Sequence, residues 1–183
     1  EGNCIFPVPS FVYNKSILFV NFEVNIDEII DSNHLFGVFP TIQAQSMLKV
    51  IPPQIYINIS ENNLGKATDN PYIMPVIVDF FSQYFSANFI ETNNADIIIS
   101  GTVNTRSLSD TPNDFGIFQV FGDATISISN GKTGDKILEK SFNRIQGSDF
   151  QSNKEAANQS LNKIAEIITE SFLPGIIEEI KKK

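Results

Sequence analysis

Apolar side chains alternate with polar ones along several stretches of this chain and recur every three or four residues along others, a change of period that separates strands from helices. From Val12 to Val24 the even positions Leu18, Val20, Phe22 and Val24 are apolar, while Lys15, Asn21 and Glu23 interrupt the odd set. This predicts a first strand. Phe11, Tyr13 and Phe19 also fall in the odd set, so the strand is expected to be covered on both sides rather than to carry an exposed binding stripe. Asn25 or Asp27 could cap a short helix bearing Ile26, Ile29, Ile30 and Leu35, which Gly37 and Pro40 would end. The segment TIQAQSMLKV fits either a helix or a strand. Beyond Pro52 and Pro53, QIYINISE alternates again, with Ile55, Ile57 and Ile59 on one face.

A turn-rich NNLGKATDNP then precedes Ile73, Val76, Ile77, Phe80, Phe81, Tyr84 and Phe85, spaced by one helical turn with Asp79, Ser82, Gln83 and Ser86 opposite. This helix should start between Asp69 and Pro75, because proline is tolerated in a first turn. Three strands follow. In the first, Ile97, Ile99, Gly101, Val103 and Thr105 share one face and Ile98, Ser100, Thr102, Asn104 and Arg106 the other. The next aligns Phe118, Val120, Gly122, Ala124, Ile126 and Ile128, and the hairpin turn NGKTGD leads into KILEKSFNRIQG. Ser152 and Glu155 form a capping-box pattern for a last helix whose buried stripe is Ala157, Leu161, Ile164, Ala165, Ile168 and Phe172, and Pro174-Gly175 should stop or kink it. With no fixed-period repeat and no long linker, the pattern predicts a flexible segment over 1–11 and one α+β domain over 12–183. Its sheet should be mostly antiparallel, with the long helices packed on one face.

At 183 residues the chain is long enough to bury its own core, and no apolar run approaches the ~20 residues of a membrane-spanning helix. A net charge of −8 argues against a nucleic-acid partner, and the basic cluster Lys181, Lys182, Lys183 reads as the solvated end of a helix. One cysteine cannot make an internal disulfide. Its position carries more: Cys4 lies close to an N-terminus without Met, which leads us to expect a processed, exported chain. Cys4 is then either a lipid-attachment residue or an idle thiol in a flexible terminus. The idle thiol is favoured, because Asn3 stands where a small residue usually precedes an acylated cysteine. Sequons at Asn14, Asn58 and Asn158 are what chance gives a chain so rich in Asn and Ser.

Candidate chemistry is thin. Gly131-Lys132-Thr133 lacks the earlier glycine and the following helix of a phosphate loop. Asp110, Asn113 and Asp114 lack calcium-loop spacing and read as a solvated turn. Asp27 and Asp31 lie one helical turn apart without a neighbouring ligand, which describes a wet face. His34 is the lone imidazole, so a triad, a Cys–His pair or a zinc site would each hinge on it. No metal, no cofactor and no enzymatic activity are expected. Asp96 at a strand mouth, Ser100 on the less apolar face and Gly101 read as scaffold, the glycine admitting a neighbouring side chain or a bulge.

The order helix, ADIIISGTVNT, a hairpin turning at TG, and QGSDFQSNKEAANQSL before a last helix resembles bacterial envelope accessory domains of the type of the curli-secretion lipoprotein CsgG and the N-terminal domain of the periplasmic protein TolB. The matching features are Ala95, Asp96, Gly101, Thr133, Gly134, Gly147, Ala157 and Leu161, within 54–173. The same order is also similar to the lipopolysaccharide-assembly lipoprotein LptE. The resemblance implies an exported, non-enzymatic protein of the periplasm or outer membrane that binds other envelope proteins, touching the membrane only through an anchor at Cys4. Candidate contacts are Phe115 in its loop, outward Phe121, and Ile176, Ile177 and Ile180 beyond the proline. A protein-binding module requires an exposed apolar patch or a free strand edge, a lipid carrier an apolar cleft between the sheet and Phe80 and Phe81, and an enzyme convergent polar groups with shifted pKa values.

Overall fold

The computed structural model of the chain describes residues 17–24, 42–49, 51–92 and 94–181. The fold class is α+β, as expected. The chain forms two compact units, Val12–Ile51 and a larger one from Pro52 onward, which meet in sequence at the Pro52-Pro53 pair. In the smaller unit β1 (Ile17–Val24) pairs antiparallel with β2 (Ile42–Lys49), so the ambiguous TIQAQSMLKV is a strand. The short helix expected around Ile29, with Asp27, Asp31 and His34, lies outside the described residues, as does Cys4.

The larger unit is built on β3 (Gln54–Asn63), β4 (Lys66–Ala67), β5 (Asn88–Phe89), β6 (Ile97–Ser107), β7 (Phe118–Asn130) and β8 (Lys136–Asp149). Strand order is β4-β3-β6-β7-β8, with β5 beside β3. The β6-β7-β8 meander is antiparallel, whereas β3 and β6 run parallel because helix α1 (Ile73–Phe85) carries the chain back between them. The sheet is therefore mixed but mostly antiparallel, as expected, with β3 parallel to β5 and β6. Its inner face buries Ile55, Ile99, Val103, Val120, Ile126 and Ile128, the alternating positions that the pattern aligned.

Helix α1 has no side-chain cap of its own at Tyr72. The acceptor comes from across the unit: Glu61 of β3, 7% exposed, takes the N–H groups of Tyr72 at 2.8 Å, Ile73 at 3.0 Å and Met74 at 3.1 Å. A carboxylate there satisfies the orphan donors and complements the positive end of the helix. Pro75 falls in the first turn, and Ile73, Ile77, Phe81 and Phe85 turn inward, with the Phe81 and Phe85 rings 5.4 Å apart.

Helix α2 (Asn153–Ile167) lies on β7 and β8 at very short range. A Cβ on Gly147 would run into the Ala156 carbonyl oxygen and come within 2.6 Å of the Ser160 nitrogen, and one on Gly122 would meet Ser160 Oγ and Ile164 Cδ1. Ser160 Oγ in turn donates to the Ile145 carbonyl at 2.7 Å. Only half of the capping box forms: Ser152 Oγ accepts from the Glu155 N–H at 3.2 Å, while the Glu155 carboxylate accepts from Asn158. The helix is not stopped at Pro174. A π-helical turn (Ile168–Phe172) absorbs the irregularity and α3 (Leu173–Lys181) continues.

Candidate functional site

The loop from Leu108 to Ile117 joins β6 to β7 and is fixed by its own backbone. Its base is closed by the Leu108 N–H donating to the Gln119 carbonyl at 2.9 Å. At its apex Asn113 Oδ1 accepts from the N–H groups of Phe115 and Ile117, both at 3.0 Å, and the Gly116 N–H donates to the Asn113 carbonyl at 2.8 Å. Asn113 is thus a turn former whose oxygen is already engaged, not a free cation ligand. Asn153, the first residue of α2, donates from Nδ2 to the Ser109 carbonyl at 2.9 Å and ties the loop to the helix.

This pinned loop displays Phe115 at 81% exposure and Leu108 at 63%. The end of β8 is beside it, since Phe118 pairs with Asp149, and the next residue, Phe150, is 73% exposed. Three large apolar side chains therefore crowd one end of the sheet, with the exposed acids Asp110 and Asp114 in the same loop. Burying an aromatic or leucine side chain is worth about 1.5–3 kcal/mol, and here that gain is unrealised on a segment already ordered.

The other expected contacts fall elsewhere. Phe121 is half-buried on the outer sheet face, with the Arg144 guanidinium 5.4 Å from its ring centroid. Arg144 sits in a bulge at φ +57°, held by its N–H donating to Asp123 Oδ1 at 2.8 Å, and Asp123 also pairs with Arg106 at 2.6 Å. Ile176 is 1% exposed and belongs to the core, a correction to its reading as a contact, because α3 continues the helix past Pro174 and turns that residue inward. Ile177 is half-buried, and the side chain of Ile180 lies outside the described residues.

Asp96 occupies the opposite end of the sheet. Its Oδ2 accepts from the Gln54 N–H at 3.0 Å and its Oδ1 pairs with Lys132 at 2.8 Å, while its backbone bonds Gln54 and Gly131. The Gln54 N–H and the Lys132 ammonium hold this carboxyl below the usual aspartate range. Among the described residues no group of three or more His, Cys, Asp or Glu is placed to hold a metal ion, and no helix is long and apolar enough to cross a membrane.

No protein-family model and no curated protein matches the chain. Among solved structures, a homologue of neuraminyllactose-binding hemagglutinin from Helicobacter pylori overlays with TM-score 0.42 at 14% identity, over 70% of this chain and 89% of that one. A Xanthomonas campestris protein of the DUF330 family gives 0.42 at 9% identity, over 73% and 89%. A minor lipoprotein from Acinetobacter baumannii gives 0.38 at 11%, over 73% and 93%. All three neighbours are bacterial, and one of them is named a lipoprotein. Overlays at this level carry no function across.

Proposed function

We propose that this chain is a non-enzymatic, exported module of the bacterial cell envelope that grips a partner protein through the apolar tip of Leu108, Phe115 and Phe150. The observation that carries the reading is Phe115, 81% exposed on a loop whose conformation is fixed by Asn113. Preordering removes the entropy cost that a floppy aromatic loop would incur on binding, and exposed aromatics are the usual anchors of an interface. Asp110 and Asp114 flank the tip with negative charge. An anionic bilayer surface would repel them, so the complementary surface is a protein pocket with a basic rim. Support for envelope placement comes from the resemblance of the strand, hairpin and helix motifs of 54–173 to envelope accessory domains.

The test is affinity for an envelope partner isolated on the unaltered chain. Phe115→Ser is expected to weaken that complex about thirtyfold, as loss of an anchoring aromatic does, without shifting the thermal midpoint. Unchanged affinity in the variant would sink the assignment.

A further inference from the structure

A second feature lies at the same end of the sheet and has a different chemistry. The β3–β4 turn, the segment leading to α1 and the first turns of α2 line an open cavity of about 670 Å³, within the range of small-molecule sites. Its wall is preorganised by an unbroken hydrogen-bond chain. The Leu64 N–H donates to Thr105 Oγ1 at 2.8 Å, Thr105 donates to Asn63 Oδ1 at 2.9 Å, Asn63 Nδ2 to Asn158 Oδ1 at 2.9 Å, and Asn158 Nδ2 to Glu155 at 3.3 Å. Leu64 is held at φ +51°, a conformation that costs a non-glycine residue about 1–2 kcal/mol. Packing of its side chain against the Val120, Ala156 and Ala157 cluster offsets this and seats the turn on the helix.

Two of the polar groups lining this cavity are cationic donors, and every other polar side chain there except Asp69 can donate as well as accept. Lys66 and Lys154 come from different elements, and neither is in an ion pair with another described residue. Each amide of Asn63 and Asn158 uses one N–H within the wall and keeps a second. Thr68 Oγ1 is secluded without a hydrogen-bond partner, and the Asp69 carboxylate provides an acceptor. Two ammonium groups act as point charges and suit a dianionic phosphate, whereas recognition of a planar carboxylate favours the guanidinium fork that this cavity lacks. The spare amide N–H groups and the Asp69 acceptor suit neighbouring ligand hydroxyls. We infer that the cavity between the β3–β4 turn and α2 binds a phosphorylated polyol of sugar size, its phosphate held by Lys66 and Lys154 and its hydroxyls by Asn63, Asn158 and Asp69.

Calorimetric titration of the full chain with glucose 6-phosphate, glucose and inorganic phosphate tests this inference. Glucose 6-phosphate is expected to bind at least about tenfold more tightly than either of the others, since each lacks half of the recognised chemistry. Lys66→Ala and Lys154→Ala should each weaken it about tenfold, while Lys140→Ala on β8 and Phe115→Ser leave it unchanged. Equal binding of inorganic phosphate would overturn the polyol assignment. No binding, or binding indifferent to both cavity lysines, would overturn the site itself. The Phe115→Ser control separates this inference from the reading of the apolar tip.

Discussion

Asp96 uses both of its carboxylate oxygens on scaffold, one on the Gln54 N–H at the start of β3 and one on Lys132 in the β7–β8 turn. Gly101, on the same strand, is small because a Cβ there would stand 2.6 Å from the Thr125 carbonyl of β7. Ser100 pairs with Ser127 on the outer face. The strand is therefore held by its own neighbours. The depressed pKa of Asp96 has a definite sign in stability. A carboxyl that ionises more readily when folded contributes stability above the unfolded-chain value, near pH 4, and loses it as pH falls through the lower folded value. Asp96→Asn should therefore unfold at lower urea than the unaltered chain at pH 7, with the gap closing as acid titrates the native carboxyl. A gap that stays constant from pH 7 to about pH 2 would mean that Asp96 acts through shape rather than charge.

At the scale of elements, local pattern made most of the architecture legible, and the misses share one cause. The period along Ile73 to Phe85 located α1, and the alternation through Phe118 to Ile128 assigned the buried face of β7. What the pattern could not reveal were partners distant in sequence. Glu61 caps a helix that begins at Ile73, beyond the reach of any local capping rule, and it reads in isolation as a wet strand residue. Ser160 and Ala156 lie in the α2 interface although the predicted stripe passed over them, because Gly122 and Gly147 let the helix backbone descend onto the sheet. The apolar tip was half legible: Phe115 was visible as a candidate, but Leu108 and Phe150 join it only through the pairing of β6, β7 and β8. For Glu61 the consequence is measurable. Glu61→Ala leaves three N–H groups at the buried start of α1 without their charged acceptor and should cost about 2–3 kcal/mol in urea unfolding. Glu61→Gln, which keeps a carbonyl oxygen but no charge, should lose less. Equal losses would show that the cap works by occupying space.

For the molecule as a whole, the two ends of the larger unit's sheet divide the work. One end is closed by Asp96, Lys132 and the NGKTGD turn, in which Asn130 Oδ1 accepts from Lys132 and Thr133. The other gathers the pinned loop, the apolar tip, the start of α2 and the polar cavity. This separation lets surface chemistry vary at one end without disturbing the register set at the other. Every buried hydrophobic side chain among the described residues lies at Ile55 or beyond, within the larger unit. A two-stranded hairpin, by contrast, is marginal by itself in water, and Phe19 and Met47, paired across β1 and β2, are each 63% exposed. A chain cut to residues 52–183 should accordingly unfold in one cooperative transition with a midpoint within about 5 °C of the full chain. It should also retain glucose 6-phosphate binding, whose proposed ligands all lie in 63–158. A fragment that binds a hydrophobic dye and melts without a transition would instead mean that the hairpin unit completes the core, and the division at Pro52 would have to be abandoned.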